Sequence, residues 1–112
     1  MPLLKIMTNI PVSNTAPLLA ELSARTAAML GKPEGYVMVI LEDQRAMLFG
    51  GSGEPAAYCE FKSIGLPEER TREFSRQLCE LIGAGLAVPR ERIYIEFADA
   101  PRHMWGWNGK TF

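Results

Sequence analysis

Apolar side chains recur along this chain in two rhythms. Leu3 to Ile10 is apolar with β-branched content and predicts a first strand, which Pro11 ends. From Thr15 the spacing changes. Leu18, Leu22, Met29 and Leu30 fall at helical intervals, and Glu21 and Arg25 stand four apart on another face. Ser13, Asn14 and Thr15 offer capping oxygens, and Pro17 suits an early helical position. Gly31 and Pro33 forbid continuation, so a helix is predicted over residues 15–30. Tyr36 to Leu41 is a continuous apolar run of strand length, as expected for a strand covered on both faces. Ala46 to Phe49 predicts a shorter strand, and Gly50 to Pro55 a turn. Ala57 to Ile64 alternates from Cys59 onward and predicts a strand with one solvated or partner-facing side.

Pro67, Glu68 and Glu69 open a second helix with acids at its positive end. Phe74, Leu78, Leu81, Ile82 and Leu86 form its apolar stripe, and Pro89 closes it. Arg92 to Phe97 is the next strand, and Trp105 to Phe112 an aromatic, glycine-rich tail. The order is a β-α-β unit given twice, with the short strand between the two units. Two right-handed units share one sheet most simply as four strands with both helices on one face, an α+β fold. The strands read as apolar on both sides, so the other face is expected to be covered by further copies of the chain.

Composition sharpens this picture. The chain has 112 residues, 47% of them hydrophobic, and a net charge of −1. One domain over residues 1–112 is expected, because half that length holds no adequate core. No surplus of positive charge exists to release counterions from phosphates, so no nucleic-acid partner is expected. No signal-like start precedes the first strand, and no stretch approaches about 18 consecutive apolar residues, so a cytoplasmic protein without a membrane partner is expected. Cys59 and Cys79 form no CxxC, and with His103 the sole histidine no metal site is expected.

Three motifs fail on context. Gly50-Gly51-Ser52-Gly53 has no helix directly after it. Gly109-Lys110-Thr111 has Met104 where a phosphate-binding loop needs glycine, and only Phe112 beyond. His103 lies in a loop with no nucleophile elbow to serve. The remaining candidate is the N-terminus. Initiator methionine is commonly removed before a small residue, which would leave Pro2 with a free secondary amine. An α-amine titrates near about 8, against about 10.4 for lysine, and burial or a nearby cation lowers it further. Such an amine is a credible general base near neutral pH.

Taken together, Met1-Pro2-Leu3-Leu4, Thr8-Asn9-Ile10-Pro11, Gly31-Lys32-Pro33, Met47 to Pro55, Ser63-Ile64-Gly65, Arg92-Ile93-Tyr94-Ile95, Gly106-Trp107-Asn108 and Thr111-Phe112 resemble the macrophage migration inhibitory factor family of the tautomerase superfamily. These blocks run in the family's order across essentially the whole chain. The resemblance implies a homotrimer whose sheets wrap a central channel, with helices outside. It implies keto–enol tautomerisation of phenylpyruvate, a small aromatic 2-keto acid, and of dopachrome-type compounds, without a cofactor. Pro2 then matches the catalytic base, Lys32 the residue holding the substrate carboxylate, and Ile64 a substrate contact. Tyr94, Trp107 and Phe112 match aromatic positions at the pocket, with Tyr94 supplied by the neighbouring subunit. The family also supports an alternative role, a leaderless cytokine-like or protein-binding mediator that leaves the cell without a signal peptide.

Three positions depart from the family pattern. Glu96 stands where vertebrate members carry a substrate-contacting Asn, and a carboxylate there would repel the substrate's own or raise the Pro2 pKa. Trp105 replaces a small aliphatic residue and would narrow the pocket mouth. Ala56 replaces the first cysteine of the vertebrate CxxC, so a thiol–disulfide activity is not expected of Cys59.

Overall fold

The computed structural model describes residues 1–112. Its elements are β1 (Leu3–Thr8), α1 (Thr15–Leu30), β2 (Met38–Glu42), β3 (Ala57–Ile64), α2 (Thr71–Leu86), β4 (Ile93–Ala100) and a small hairpin of β5 (Gly106–Trp107) and β6 (Lys110–Thr111). The predicted α+β architecture is present: four strands in the order β2-β1-β3-β4 and two helices. β1 and β2 run parallel, as do β3 and β4, while β1 and β3 join the two units antiparallel. The repeat extends to the joints. In each unit a proline, Pro33 or Pro89, precedes one 3-10 turn that delivers the chain into the second strand.

Alternation explains which face is packed. Leu4 and Ile6 of β1, Cys59 and Phe61 of β3, and Ile93 of β4 point inward and are buried with Leu22 of α1 and Phe74, Leu78 and Ile82 of α2. Phe61 is the centre, with its ring 5.6 Å from Phe74 and 6.0 Å from Phe97 in edge-on geometry. The buried Thr8 hydroxyl donates to the Ala56 carbonyl at 2.8 Å, so that polar group is satisfied.

Several boundaries differ from expectation. Residues 46–49 form no strand. Phe49 instead pairs with Ser52 in an isolated bridge around Gly50 and Gly51, both at positive φ, a two-residue turn that the Gly-Gly pair permits. Tyr36 lies in the 3-10 turn over residues 34–36, and the strand starts at Met38. β1 stops at Thr8, β4 runs on to Ala100, and α2 begins at Thr71 after a 3-10 turn over residues 68–70. Lys110 and Thr111 belong to β6. Cys59 is buried and Cys79 partly so, both unpaired, and burial pushes the Cys59 thiol up to about 12.

The helix-free face corrects the expectation of an apolar sheet on both sides. Lys5, Glu60 and Glu96 lie in one row across β1, β3 and β4. Lys62 pairs with Glu60 at 3.1 Å, and the Tyr58 hydroxyl lies 3.1 Å from Glu96 and 3.4 Å from Glu60. The alternation of β3 sends Tyr58, Glu60 and Lys62 outward. Apolar residues flank this polar patch, among them Met38, at 61% exposure, and Tyr94, at 65%. No helix is long and apolar enough to cross a membrane.

Candidate functional site

A cavity of about 420 Å³ opens where β1 begins, between the Tyr36 turn and the C-terminal hairpin. Pro2 is fully buried at its wall, and its carbonyl accepts the Met38 amide at 3.0 Å, which ties the N-terminus to the edge strand β2. The opposite wall is aromatic. Trp107 and Phe112 stack at 5.6 Å, and both meet Tyr36 edge-on, at 5.9 and 6.2 Å. Asn108 and Gly109, both at positive φ, form the tight turn that brings Phe112 back beside Trp107. Trp105 also lines the cavity, and its carbonyl accepts the Phe112 amide at 3.2 Å.

Two cations act on the N-terminus that lines this cavity. Lys32, just past the end of α1, donates from Nζ to the Ile64 carbonyl at the end of β3, at 2.9 Å. Arg102 follows β4, and its Nε donates to the Phe112 carbonyl at 3.4 Å. Both act on the α-amine of Met1. Burial holds that amine below its usual value, and the positive charges of Lys32 and Arg102 push it the same way. A lowered pKa makes an amine at this place easier to hold unprotonated, the state in which an amine can accept a proton.

A second apolar depression lies elsewhere on the chain, bounded by Met47, Leu48, Phe49, Tyr58 and Tyr94. Tyr94 pairs in register with Tyr58, and Tyr58 with Met7, so it stands level with the far end of β1. That is five residues beyond Pro2, roughly 16 Å along the strand direction at about 3.3 Å per residue. Glu96 is level with Lys5 and engaged by Tyr58. Partial burial and the hydrogen bond to Glu96 push the Tyr58 phenol up to about 12, so it stays a donor. The hydrogen bond from Lys62 holds Glu60 below its ordinary value.

The model of one family, macrophage migration inhibitory factor, matches residues 1–112. The chain is 38% identical to the macrophage migration inhibitory factor of Meriones unguiculatus and 39% identical to the homolog of Brugia malayi, covering 100% of this chain and 99% of each relative. Among solved structures, the homologue from Prochlorococcus marinus superposes with a TM-score of 0.94 at 47% identity, over 98% of both chains. The Trichinella spiralis protein does so with 0.94 at 34%, over 98% of this chain and 99% of that one. The chain belongs to the macrophage migration inhibitory factor family. Membership puts it, at the general level, among the isomerases of the tautomerase superfamily.

Against that family pattern, the fold gathers Pro2, Trp107 and Phe112 in one cavity and joins Lys32 to Ile64 beside the N-terminus. It does not bring Tyr94 or Glu96 to the same cavity within one chain. Three residues escaped the sequence reading. Tyr36 was concealed inside an apolar run that reads as strand, although the preceding Pro33-Glu34-Gly35 is a turn signal. Arg102 gave no signal beyond being a cation after a proline. Arg92 marked a family block, but its neighbours in space are residues 49–55, which no spacing reveals.

Proposed function

We propose that this protein is a phenylpyruvate-type keto–enol tautomerase that works as a homotrimer, with the free amine of Pro2 as general acid and base once Met1 has been removed. The observation that carries the reading is the buried Pro2 at the wall of an aromatic cavity, next to a Met1 amine that burial and Lys32 hold below its usual value; removal of Met1 would expose the Pro2 amine to the same surroundings. In the reaction, the nitrogen lone pair takes a proton from the carbon beside the ketone. The electrons of that C–H bond become the enol double bond, and the protonated amine returns the proton to the ketone oxygen. No atom is gained or lost. Lys32 holds the substrate carboxylate and disfavours a protonated resting amine. Ile64 contacts the substrate, and Trp107 and Phe112 receive the phenyl ring and exclude water, which strengthens both charge interactions. Dopachrome-type compounds, which also tautomerise by proton transfer at carbon, fall in the same class.

The trimer supplies what one chain lacks. Tyr94 is 65% exposed and far along the sheet from its own Pro2. In an assembly of sheets around a central channel it closes the cavity of the next copy. The polar row of Lys5, Glu60 and Glu96 suits a water-filled channel rather than a dry interface.

A second reading, a cytokine-like or protein-binding mediator with little turnover, is favoured by the carboxylate of Glu96 beside Tyr94 on that face. Phenylpyruvate enolisation separates the two, with the N-terminus verified by mass. The processed wild type is expected to turn over. Pro2→Gly is expected to lose at least about a hundredfold in kcat/KM, the usual contribution of a general base. Lys32→Ala is expected to raise KM by roughly tenfold to a hundredfold, the value of a charge-assisted hydrogen bond. Full activity in Pro2→Gly contradicts the base assignment, and an inert processed wild type favours the mediator.

A further inference from the structure

Arg92 occupies the 3-10 turn just before β4 and has no carboxylate within ion-pair distance among the salt bridges of the fold. Its guanidinium is spent on backbone instead. Nε donates to the Pro55 carbonyl at 2.9 Å, Nη1 to Phe49 at 3.1 Å, and Nη2 to Ser52 at 3.0 Å and Glu54 at 3.1 Å. All three nitrogens are engaged, and every acceptor lies in the loop of residues 49–55. The same guanidinium sits 5.1 Å over the ring of Phe49, and that ring lies 4.5 Å from Tyr94, two residues beyond Arg92.

The loop has little other structure. Gly50 and Gly51 make the turn, one isolated bridge joins Phe49 to Ser52, and Asn9 holds the Gly53 and Glu54 carbonyls from the far side. Of these anchors, Arg92 is the one that also meets the Phe49 ring. We propose that Arg92 is a positioning residue for the composite pocket: it clamps residues 49–55 so that Phe49 holds the ring of Tyr94 in the attitude presented to the neighbouring copy. This rests on the trimeric reading above, in which Tyr94 completes the next copy's cavity.

The chemistry requires arginine. A planar fork with five N–H donors can satisfy four carbonyls and lie on a ring at once, whereas lysine is a point charge with three donors and no plane. Without the fork the loop relaxes, Phe49 withdraws, and the exposed Tyr94 ring regains rotamers that substrate binding must then freeze. Tyr94 transfers no proton, so the effect falls on KM and spares kcat.

The test combines phenylpyruvate kinetics with the nuclear Overhauser contact between the Phe49 and Tyr94 rings. It uses wild type, Arg92→Lys, Tyr94→Ala, their double variant and Phe49→Leu. Arg92→Lys is expected to abolish the ring contact and to raise KM about threefold to tenfold, the scale of ordering one or two side chains, with kcat within about twofold. In the Tyr94→Ala background it is expected to change KM no further, because it acts through that ring. Phe49→Leu keeps the backbone acceptors of Arg92 and is expected to reproduce the KM rise, which covers the case of an Arg92→Lys protein that does not fold. A ring contact that survives in Arg92→Lys overturns the proposal. So does a KM unmoved by Arg92→Lys and Phe49→Leu while Tyr94→Ala raises it, or Arg92→Lys and Tyr94→Ala effects that multiply. A Tyr94→Ala variant with unaltered KM is the separate failure of the composite pocket itself, and the proposal falls with it.

Discussion

Glu96 faces Glu60 directly across paired strands, an arrangement in which like charges repel. Lys62 offsets Glu60, and the Tyr58 hydroxyl bonds Glu96, so the row is held together without neutralising Glu96. If this carboxylate stands beside the neighbouring copy's cavity, it opposes a 2-keto acid. Two unit charges about 4 Å apart in water interact by about 1 kcal/mol, or about a fivefold effect on binding. Glu96→Asn is therefore expected to lower the apparent KM for phenylpyruvate by up to about fivefold, as read from initial rates, and an unchanged or raised KM counts against repulsion. At this scale the sequence was informative about position where a residue sits in a motif. Pro2, Lys32, Ile64, Trp107 and Phe112 all sit in recognisable blocks. It was silent on Tyr36, which lines the cavity, and on Arg102, which bonds Phe112 at its wall, because residues distant in the chain close that cavity. It was also silent on the tether between Tyr58 and Glu96, which depends on the register of β3 against β4.

At the level of elements, both helices end in a left-handed residue, but with different chemistry. Gly31 caps α1 at φ 63, and its amide returns to the carbonyls of Ala27 and Ala28. The equivalent residue after α2 is Ala87, at φ 56. A Cβ in that region costs roughly 1 kcal/mol, so Ala87→Gly is expected to stabilise the fold by roughly 0.5–1 kcal/mol in urea unfolding, and a loss of stability would contradict this reading of the turn. The helices were legible because periodicity and punctuation agree. Residues 15–30 match α1 as predicted from Pro17 and Gly31. Residues 46–49 were misread as strand, since four apolar residues carry no information about whether a partner strand is available. Here the neighbouring Gly-Gly turn and Arg92 take up that backbone.

For the whole molecule, the sheet's helix-free face and the separation of Tyr94 from Pro2 point the same way. On the trimeric proposal, the functional unit is larger than one chain. Light scattering or native mass spectrometry is expected to give about three times 12.4 kDa, and a monomer with full tautomerase activity would contradict the composite cavity. The two β-α-β units and their shared four-stranded sheet were legible from strand pattern and length. The polar row within the helix-free face was not, because which polar residues of β1, β3 and β4 stand level depends on the register of the strands. On the proposed mechanism a neutral N-terminal amine accepts the proton, and the decisive measurement is the pH dependence of kcat/KM for phenylpyruvate in the processed protein. The amine acts as base only when unprotonated, and the burial and the charges of Lys32 and Arg102 that lower the Met1 amine would act in the same direction on Pro2 once Met1 is gone. The rate is thus expected to rise with pH through one ionisation below about 8, to be level above it, and to fall as acid protonates Pro2. Lys32→Ala is expected to move that ionisation upward. A profile flat from acid to alkaline pH, or one whose ionisation is unmoved by Pro2→Gly, would contradict the account.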